Sequence, residues 1–262
     1  MPDKSPKLKT EKQRLDILLV DRGLAESRQK AQAMLLAGEV RVAGQRHDKP
    51  GERVPVDVPI EITGTHLRYV SRGGFKLEGA LDEFGVDPSG KICLDVGSST
   101  GGFTDCLLQR GAVRVYAVDV TPDQMAWKVQ QDPRVTRIKR NARELTHEDL
   151  KAASSALGGK YIPPQLAVID LAFISVAKVL SAVVAVAAPR AEFLILIKPQ
   201  FELDRGDIGK GGIVRDTKLH ERAIERVRDA ARAAGLQENG VKPSKLPGAE
   251  GNLEFFLYAT RE

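Results

Sequence analysis

Ile92-Cys-Leu-Asp-Val-Gly-Ser-Ser-Thr-Gly-Gly-Phe-Thr-Asp105 is the stretch that decides the fold. Its first five residues are apolar except for Asp95 and predict a strand buried on both faces. The glycines at 97, 101 and 102 predict a tight turn, and a helix opens behind them. Working outward, further strands are expected at 113–118 ending in Asp119, at 135–139 followed by Asn141, at 166–170 and at 193–198. Strand and helix alternate throughout, which predicts an α/β domain with a Rossmann-like, doubly wound, mostly parallel sheet. Ligands of such sheets bind at the carboxyl ends of the strands. Asp95, Asp119, Asn141, Asp170 and Lys198 all fall at those ends.

The bulk properties bound the function. A chain of 262 residues holds one ordinary α/β domain and a small module, and 42% hydrophobic with 29% charged residues describes a soluble globular protein. Residues 176–188 are apolar but are broken by Lys178 and Ser181 and stopped by Pro189, so a buried helix is expected rather than a membrane span. The lysines behind Met1 lack the apolar core of a secretory signal. Cys93 and Cys106 sit in buried patterns without spaced partners, so no disulfide and no metal site is expected, and a cytoplasmic compartment fits. Residues 1–72 carry 14 Lys/Arg against 10 Asp/Glu, whereas the other 190 residues have a surplus of one positive charge. A basic module beside a near-neutral body points to a polyanionic partner.

The turn after the first strand separates two cofactors. A nicotinamide dinucleotide needs G-x-G-x-x-G at the helix start. Here Gly97-Ser-Ser-Thr-Gly101-Gly102 lacks the second glycine of that pattern. The run D-x-G-x-x-x-G-G resembles instead the first motif of S-adenosylmethionine-dependent methyltransferases. That resemblance implies a class I fold with a seven-stranded sheet. It also implies a cofactor site formed by Asp95, Gly97, Ser98, Gly101, Gly102 and Phe103, with Asp119 at the cofactor ribose and Asn141 and Ala142 beside the adenine.

Residues 1–13 are polar and unpatterned and are expected to be a disordered basic tail. From Arg14 two amphipathic helices follow, the second with Ser27 as N-cap and Gly38 as its stop, and then short strands at 39–42 and 58–62. The pattern beginning Arg14-Leu-Asp-Ile-Leu-Leu-Val-Asp-Arg-Gly-Leu and continuing through Ser27-Arg28 resembles the small α+β RNA-binding domain of ribosomal small-subunit protein four. The domain is expected over 14–66, with a linker at 67–73 and the methyltransferase domain at 74–262. The resemblance implies that Ser27, Arg28 and Lys30 meet RNA backbone, flanked by Arg14, Arg41 and Lys49. A helix N-terminus with guanidinium groups is a suitable phosphate seat.

Four residues define the chemistry. Lys76 lies in Ser71-Arg-Gly-Gly-Phe-Lys-Leu77, and Asp170 opens Asp170-Leu-Ala-Phe-Ile-Ser175. Lys198 opens Lys198-Pro-Gln-Phe-Glu202, and Glu254 lies in Gly251-Asn-Leu-Glu-Phe-Phe-Leu-Tyr258. They resemble the Lys-Asp-Lys-Glu set of the FtsJ-like ribose 2′-O-methyltransferases. With the block Gly209-Lys-Gly-Gly-Ile-Val-Arg-Asp216 and both domains, the chain from Arg14 to Glu262 resembles the TlyA family. That resemblance implies cytidine 2′-O-methylation of 23S ribosomal RNA, in some members of 16S as well, with ribosomal subunits as partners. A ribose hydroxyl is a poor nucleophile that must share or lose its proton as it attacks in line. Lys198 is therefore expected as base or activator, Asp170 as its positioner, and Lys76 with Glu254 as the remainder of the hydroxyl pocket. Ala172 and Tyr69 depart from the family, where serine and, in some members, tryptophan stand.

Phe173 and Phe201 suit either base stacking or core packing. The Gly-rich, charged loop 202–216 behind Lys198 is expected to be a mobile lid on RNA. Other functions are weaker fits. Relatives labelled haemolysin suggest a membrane-active protein, but the chain offers no spanning segment. A catalytically dead RNA-binding or assembly factor would not need the intact tetrad. Base methyltransferases use a cysteine nucleophile or an N-P-P-Y-type turn, and Asp170-Leu-Ala-Phe is neither. The proposed chemistry needs no metal, and oligomeric state is left open.

Overall fold

Apolar residues three and four apart, such as Leu15, Leu18 and Leu19 or Ala31, Met34 and Leu35, build the core of a first small unit and are all buried. The chain divides into two units, Met1–Arg68 and Tyr69–Glu262. The computed structural model describes residues 12–22, 24–25, 27–62, 68–156, 160–209, 211–248 and 250–262. In the small unit the order is β1 (Lys12–Arg14), α1 (Leu15–Asp21), α2 (Arg28–Leu36), β2 (Val40–Val42), β3 (Gln45–Arg46), β4 (Arg53–Pro55) and β5 (Ile60–Ile62). β2 is flanked by β3 and β5, and β1 pairs with β4, all antiparallel.

Two expectations change here. Lys12 and Gln13 belong not to a disordered tail but to a strand, opposite Pro55 and Val54. Their partners lie some forty residues on, and a three-residue edge strand leaves no local periodicity to detect. The short strands β3 and β4 were hidden for the same reason. The rest of the expected tail (1–11), the Gly23 helix stop and residues 63–67 at the domain joint lie outside the described residues.

The large unit opens with α3 (Arg72–Phe84), then β6 (Ile92–Val96), α4 (Gly102–Gln109), β7 (Arg114–Asp119), α5 (Trp127–Gln130), β8 (Val135–Lys139), α6 (His147–Ala156) and β9 (Leu166–Ile169). It continues with α7 (Leu180–Val186), β10 (Glu192–Ile197), α8 (Pro199–Glu202), α9 (Thr217–Ala233), β11 (Leu236–Pro243) and β12 (Phe255–Arg261). The seven strands run β11-β12-β10-β9-β6-β7-β8. β6 to β10 are mutually parallel, while β12 runs antiparallel between β10 and β11.

Alternation along β6 explains the layering. Leu94 and Val96 face the core beneath α7 and α9, whereas Cys93 faces the core beneath α3 and α4. Burial pushes the Cys93 thiol up to about 12, so it is inert packing. The apolar run 176–188 is buried but broken: one 3-10 turn (Val176–Lys178) precedes α7. No helix among the described residues is long and apolar enough to cross a membrane. Strand order reverses at β6, with β7 on one side and β9 on the other. A crevice at the carboxyl ends is the consequence.

Candidate active site

The turn behind β6 is shaped by what glycine lacks. Gly97 has φ +86, and a Cβ there would lie 2.2 Å from the Asp170 carbonyl oxygen. Gly101, at φ +89, opens α4. A Cβ at Gly102 would lie 2.1 Å from Ser71 Oγ, so the start of α4 rests against the start of α3.

Below this turn Asp95 is completely buried. Thr104 Oγ1 donates to its Oδ2 at 2.6 Å, but Oδ1 has no partner among the described residues, nor has the buried Ser98 Oγ. Burial, reinforced by Asp170 and Asp119, pushes the Asp95 carboxyl up to about 7. Asp119 at the end of β7 accepts from the backbone N–H of Ser99 (2.9 Å) and Thr121 (2.8 Å), which sets its orientation.

Two recesses meet at the turn. The larger, about 330 Å³, is lined by Asp119, Asn141, Ala142 and Leu171 among others. The smaller, about 160 Å³, is lined by Ser71, Lys76, Ser98, Gly102, Phe103 and Asp170. Gly97, Ser99 and Asp170 line both. Asn141 accepts from Arg143 N at 3.1 Å and so starts a single 3-10 turn, which holds Ala142 at the wall. Acceptors at Asp119 and unpartnered acceptors beneath the turn suit a ligand rich in hydroxyl and ammonium donors.

The sheet assembles four charged side chains as two ion pairs. Lys198 Nζ pairs with Asp170 Oδ1. Lys76 Nζ, on α3, donates to Glu254 Oε2 at 2.5 Å, and both residues are buried. Topology explains the second pair. Ile197 on β10 lies opposite Phe255 on β12, so the next residues along, Lys198 and Glu254, end up side by side. Gly248 leaves room for the carboxylate, since a Cβ there would be 2.6 Å from Glu254 Oε1.

Residues 69–261 match the FtsJ-like methyltransferase family, and residues 13–60 match the S4 domain. The chain is 45% identical over 247 residues to the 16S/23S rRNA (cytidine-2′-O)-methyltransferase TlyA of Mycobacterium tuberculosis, spanning 94% of this chain and 88% of that one. The chain belongs to the TlyA family of FtsJ-like methyltransferases. It is also 39% identical to Hemolysin A of Brachyspira hyodysenteriae, over 94% of this chain and 98% of that protein. A solved structure from Streptococcus thermophilus, named as a hemolysin, is similar with a TM-score of 0.71 at 39% identity, covering 96% of this chain and 89% of that one.

The site of this methyltransferase also contains residues to which the sequence patterns had assigned no role of their own. Glu202, 2% exposed, closes α8 and reaches back to the segment after Asp170. Ser175 Oγ donates to its Oε2 at 2.5 Å and Val176 N to its Oε1 at 2.8 Å. The Asp170–Ser175 and Lys198–Glu202 blocks are thus joined twice, by Lys198 to Asp170 and by Ser175 to Glu202. Burial pushes the Glu202 carboxyl upward. Between these anchors Phe173 stands 92% exposed at φ +65, its ring 5.4 Å from that of Phe201. Core packing is therefore excluded for Phe173, and a bulky residue in the left-handed region is held at a cost.

The expected lid at 202–216 is instead anchored over much of its length. Asn252 accepts from Val214 N (2.8 Å) and donates to Gly212 O (2.9 Å), while His220 Nε2 donates to Val214 O (2.9 Å). Leu203 and Val214 are buried against Ala223. Lys210 lies outside the described residues.

In the small unit Ser27 is the N-cap of α2, its side chain accepting from Lys30 N at 3.2 Å. Lys30, Arg41 and Lys49 are exposed, and Arg41 Nη1 donates to Gly44 O at 3.2 Å. Arg14 and Arg28 both bind Asp16.

Proposed function

We propose that this methyltransferase transfers a methyl group from S-adenosylmethionine to the ribose 2′-hydroxyl of cytidine in 23S ribosomal RNA, with 16S ribosomal RNA as a second candidate substrate. The observation that carries the reading is the meeting of two lysine–carboxylate pairs with a recess that shares Gly97, Ser99 and Asp170 with the larger cleft. The M. tuberculosis relative, a 16S/23S rRNA (cytidine-2′-O)-methyltransferase, supports the same acceptor.

When bound, S-adenosylmethionine supplies an electrophilic methyl group. Asp119 would take the cofactor's ribose hydroxyls, and Asn141 and Ala142 would border its adenine. Asp95, Gly97, Ser98, Gly101, Gly102 and Phe103 would shape the amino-acid end. Lys198, in the neutral amine form that a base requires, would accept a hydrogen bond from the acceptor O2′–H and take up its proton, and Asp170 would hold the ammonium so produced. Lys76, fixed by Glu254, would line the other side of the hydroxyl pocket. Alignment is a large part of such catalysis, because holding reactants in line removes several kcal/mol of barrier. The exposed ring of Phe173 would stack on the target base. Arg14, Ser27, Arg28, Lys30, Arg41 and Lys49 would hold RNA backbone.

The test is transfer of labelled methyl from S-adenosylmethionine to intact and dissociated ribosomal subunits, followed by mapping of ribose methylation. Label on a cytidine O2′ supports the reading. Label on a base, or none on either subunit with the cofactor demonstrably bound, would overturn it.

A further inference from the structure

In the small unit one buried carboxylate holds two guanidinium groups. Asp16, in the first turn of α1, is 0% exposed. Arg14 donates to it from Nε and Nη2, both at 3.0 Å. Arg28, at the start of α2, donates from Nε at 2.9 Å, and Gln32, one turn further, from Nε2 at 3.0 Å. These hydrogen bonds, that of Arg14 foremost, hold the Asp16 carboxyl well below the usual carboxylate range. Oδ2 alone accepts three of the four bonds.

Both arginines nevertheless remain open to solvent, with side chains 38% and 55% exposed. Arg28 binds Asp16 through Nε alone, so both its terminal nitrogens make no hydrogen bond among the described residues. Arg14 keeps Nη1, which lies beside Gly51, where a Cβ would be 3.5 Å away. The cluster therefore carries two permanent positive charges against one negative. Its outward edges are N–H donors with the fork geometry that matches phosphate.

We infer that Asp16 is a positioning residue for RNA: it fixes Arg14 and Arg28 as a paired donor set for the phosphate backbone. This rests on the proposal that the small unit binds RNA through these arginines. A long side chain that is ordered before binding loses less freedom on binding, and the Asp16 bonds supply that order. Positioning and charge alone act with opposite sign at Asp16. A carboxylate beside a phosphate site repels RNA, so its removal should strengthen binding if only charge mattered. If Asp16 positions the arginines, its removal weakens binding.

The experiment measures affinity of the full chain for transcribed 23S rRNA across a salt series, for the wild type, Asp16→Asn, Arg28→Lys and the double variant Arg14→Ala/Arg28→Ala. Asp16→Asn is expected to bind about threefold or more weaker at low salt, with a shallower salt dependence, because each lost phosphate contact removes roughly 0.7–0.9 from the slope. Simple destabilisation would lower the active fraction and leave the slope alone. Arg28→Lys keeps the charge, loses the Nε bond and is expected to fall in the same direction. It carries the test if Asp16→Asn does not fold. Binding by either variant as tight as the wild type, while the double variant binds weakly, would overturn the role of Asp16 and leave the RNA surface standing. A double variant that binds normally would overturn both.

Discussion

Asp16 in the small unit and Asp95 in the large one are equally buried, yet their carboxyls shift in opposite directions. Burial favours the neutral acid in both. At Asp16 two guanidiniums and an amide outweigh it, whereas Asp95 has one hydroxyl donor and two carboxylates nearby. The same residue type is thus a permanent anion in one unit and a group that titrates near neutrality in the other. The cations differ in parallel. The small unit places two arginines on one carboxylate, leaving positive charge to spare. The candidate active site pairs single lysines with single carboxylates. Arginine suits a fixed charge, and lysine suits a place where a proton must come and go.

The sharpest way to break that contrast is Lys198→Arg. It keeps the positive charge beside Asp170 but cannot accept a proton. Methyl transfer is expected to fall by about 10²–10⁴, the usual worth of general acid–base catalysis, with cofactor affinity unchanged by calorimetry. A variant with near-normal turnover would show that only charge is needed at Lys198.

The next effect is on stability. Between its ordinary 3.8 and about 7, the folded chain keeps a proton on Asp95 that the unfolded chain releases. The stability tied to that proton is present below pH 3.8 and lost as pH rises to 7, by at most about 4 kcal/mol. Urea midpoints should therefore decline with pH in the wild type relative to Asp95→Asn. Asp16 has a depressed folded value, so its contribution is present above the ordinary carboxylate range and lost as pH falls. Parallel pH profiles for Asp95→Asn and Asp16→Asn, each taken against the wild type, would refute the contrast.

Phe173→Ala separates grip by stacking from grip by charge. The side chain is exposed, so the fold should be unaffected, and about 1–3 kcal/mol of substrate binding should be lost. That loss should be constant across a salt series in methylation assays, unlike losses from arginine variants.

The smallest expected change comes from Glu202→Gln. A glutamine can still accept from Val176 N and can donate to Ser175 Oγ, so kcat should drop only a few-fold, while Glu202→Ala should lose roughly tenfold, about 1.4 kcal/mol. Equal rates for all three would remove Glu202 from the positioning of Asp170.

What could be read beforehand was local or patterned. The strand–turn–helix at 92–105 and the strand-end positions of Asp119, Asp170 and Lys198 follow from periodicity and spacing, and they stand where expected. Glu254 was legible only as part of a charged set, because its partner Lys76 lies 178 residues away. The antiparallel insertion of β12 beside β10 that brings it in has no local signature. Glu202, Asn252 and Asp16 were missed for a related reason. Glu202 and Asn252 are ordinary polar residues until distant segments supply their donors, and Asp16, with Arg14 two residues away, gains its Arg28 and Gln32 donors only when α2 packs on α1. Phe173 was ambiguous because exposure is a tertiary property, and neither its ring nor its neighbours foretold φ +65.

The contact at Gly97 bears on how such a chain can change over generations. A side chain at that position would collide with the main-chain oxygen of residue 170, an atom that every amino acid possesses. No replacement at 170 can therefore relieve a mutation at 97, and the usual route of drift through paired compensating substitutions is closed. Recognition surfaces can wander to new RNA targets, but the seam between the turn and the end of β9 has only one permitted spelling.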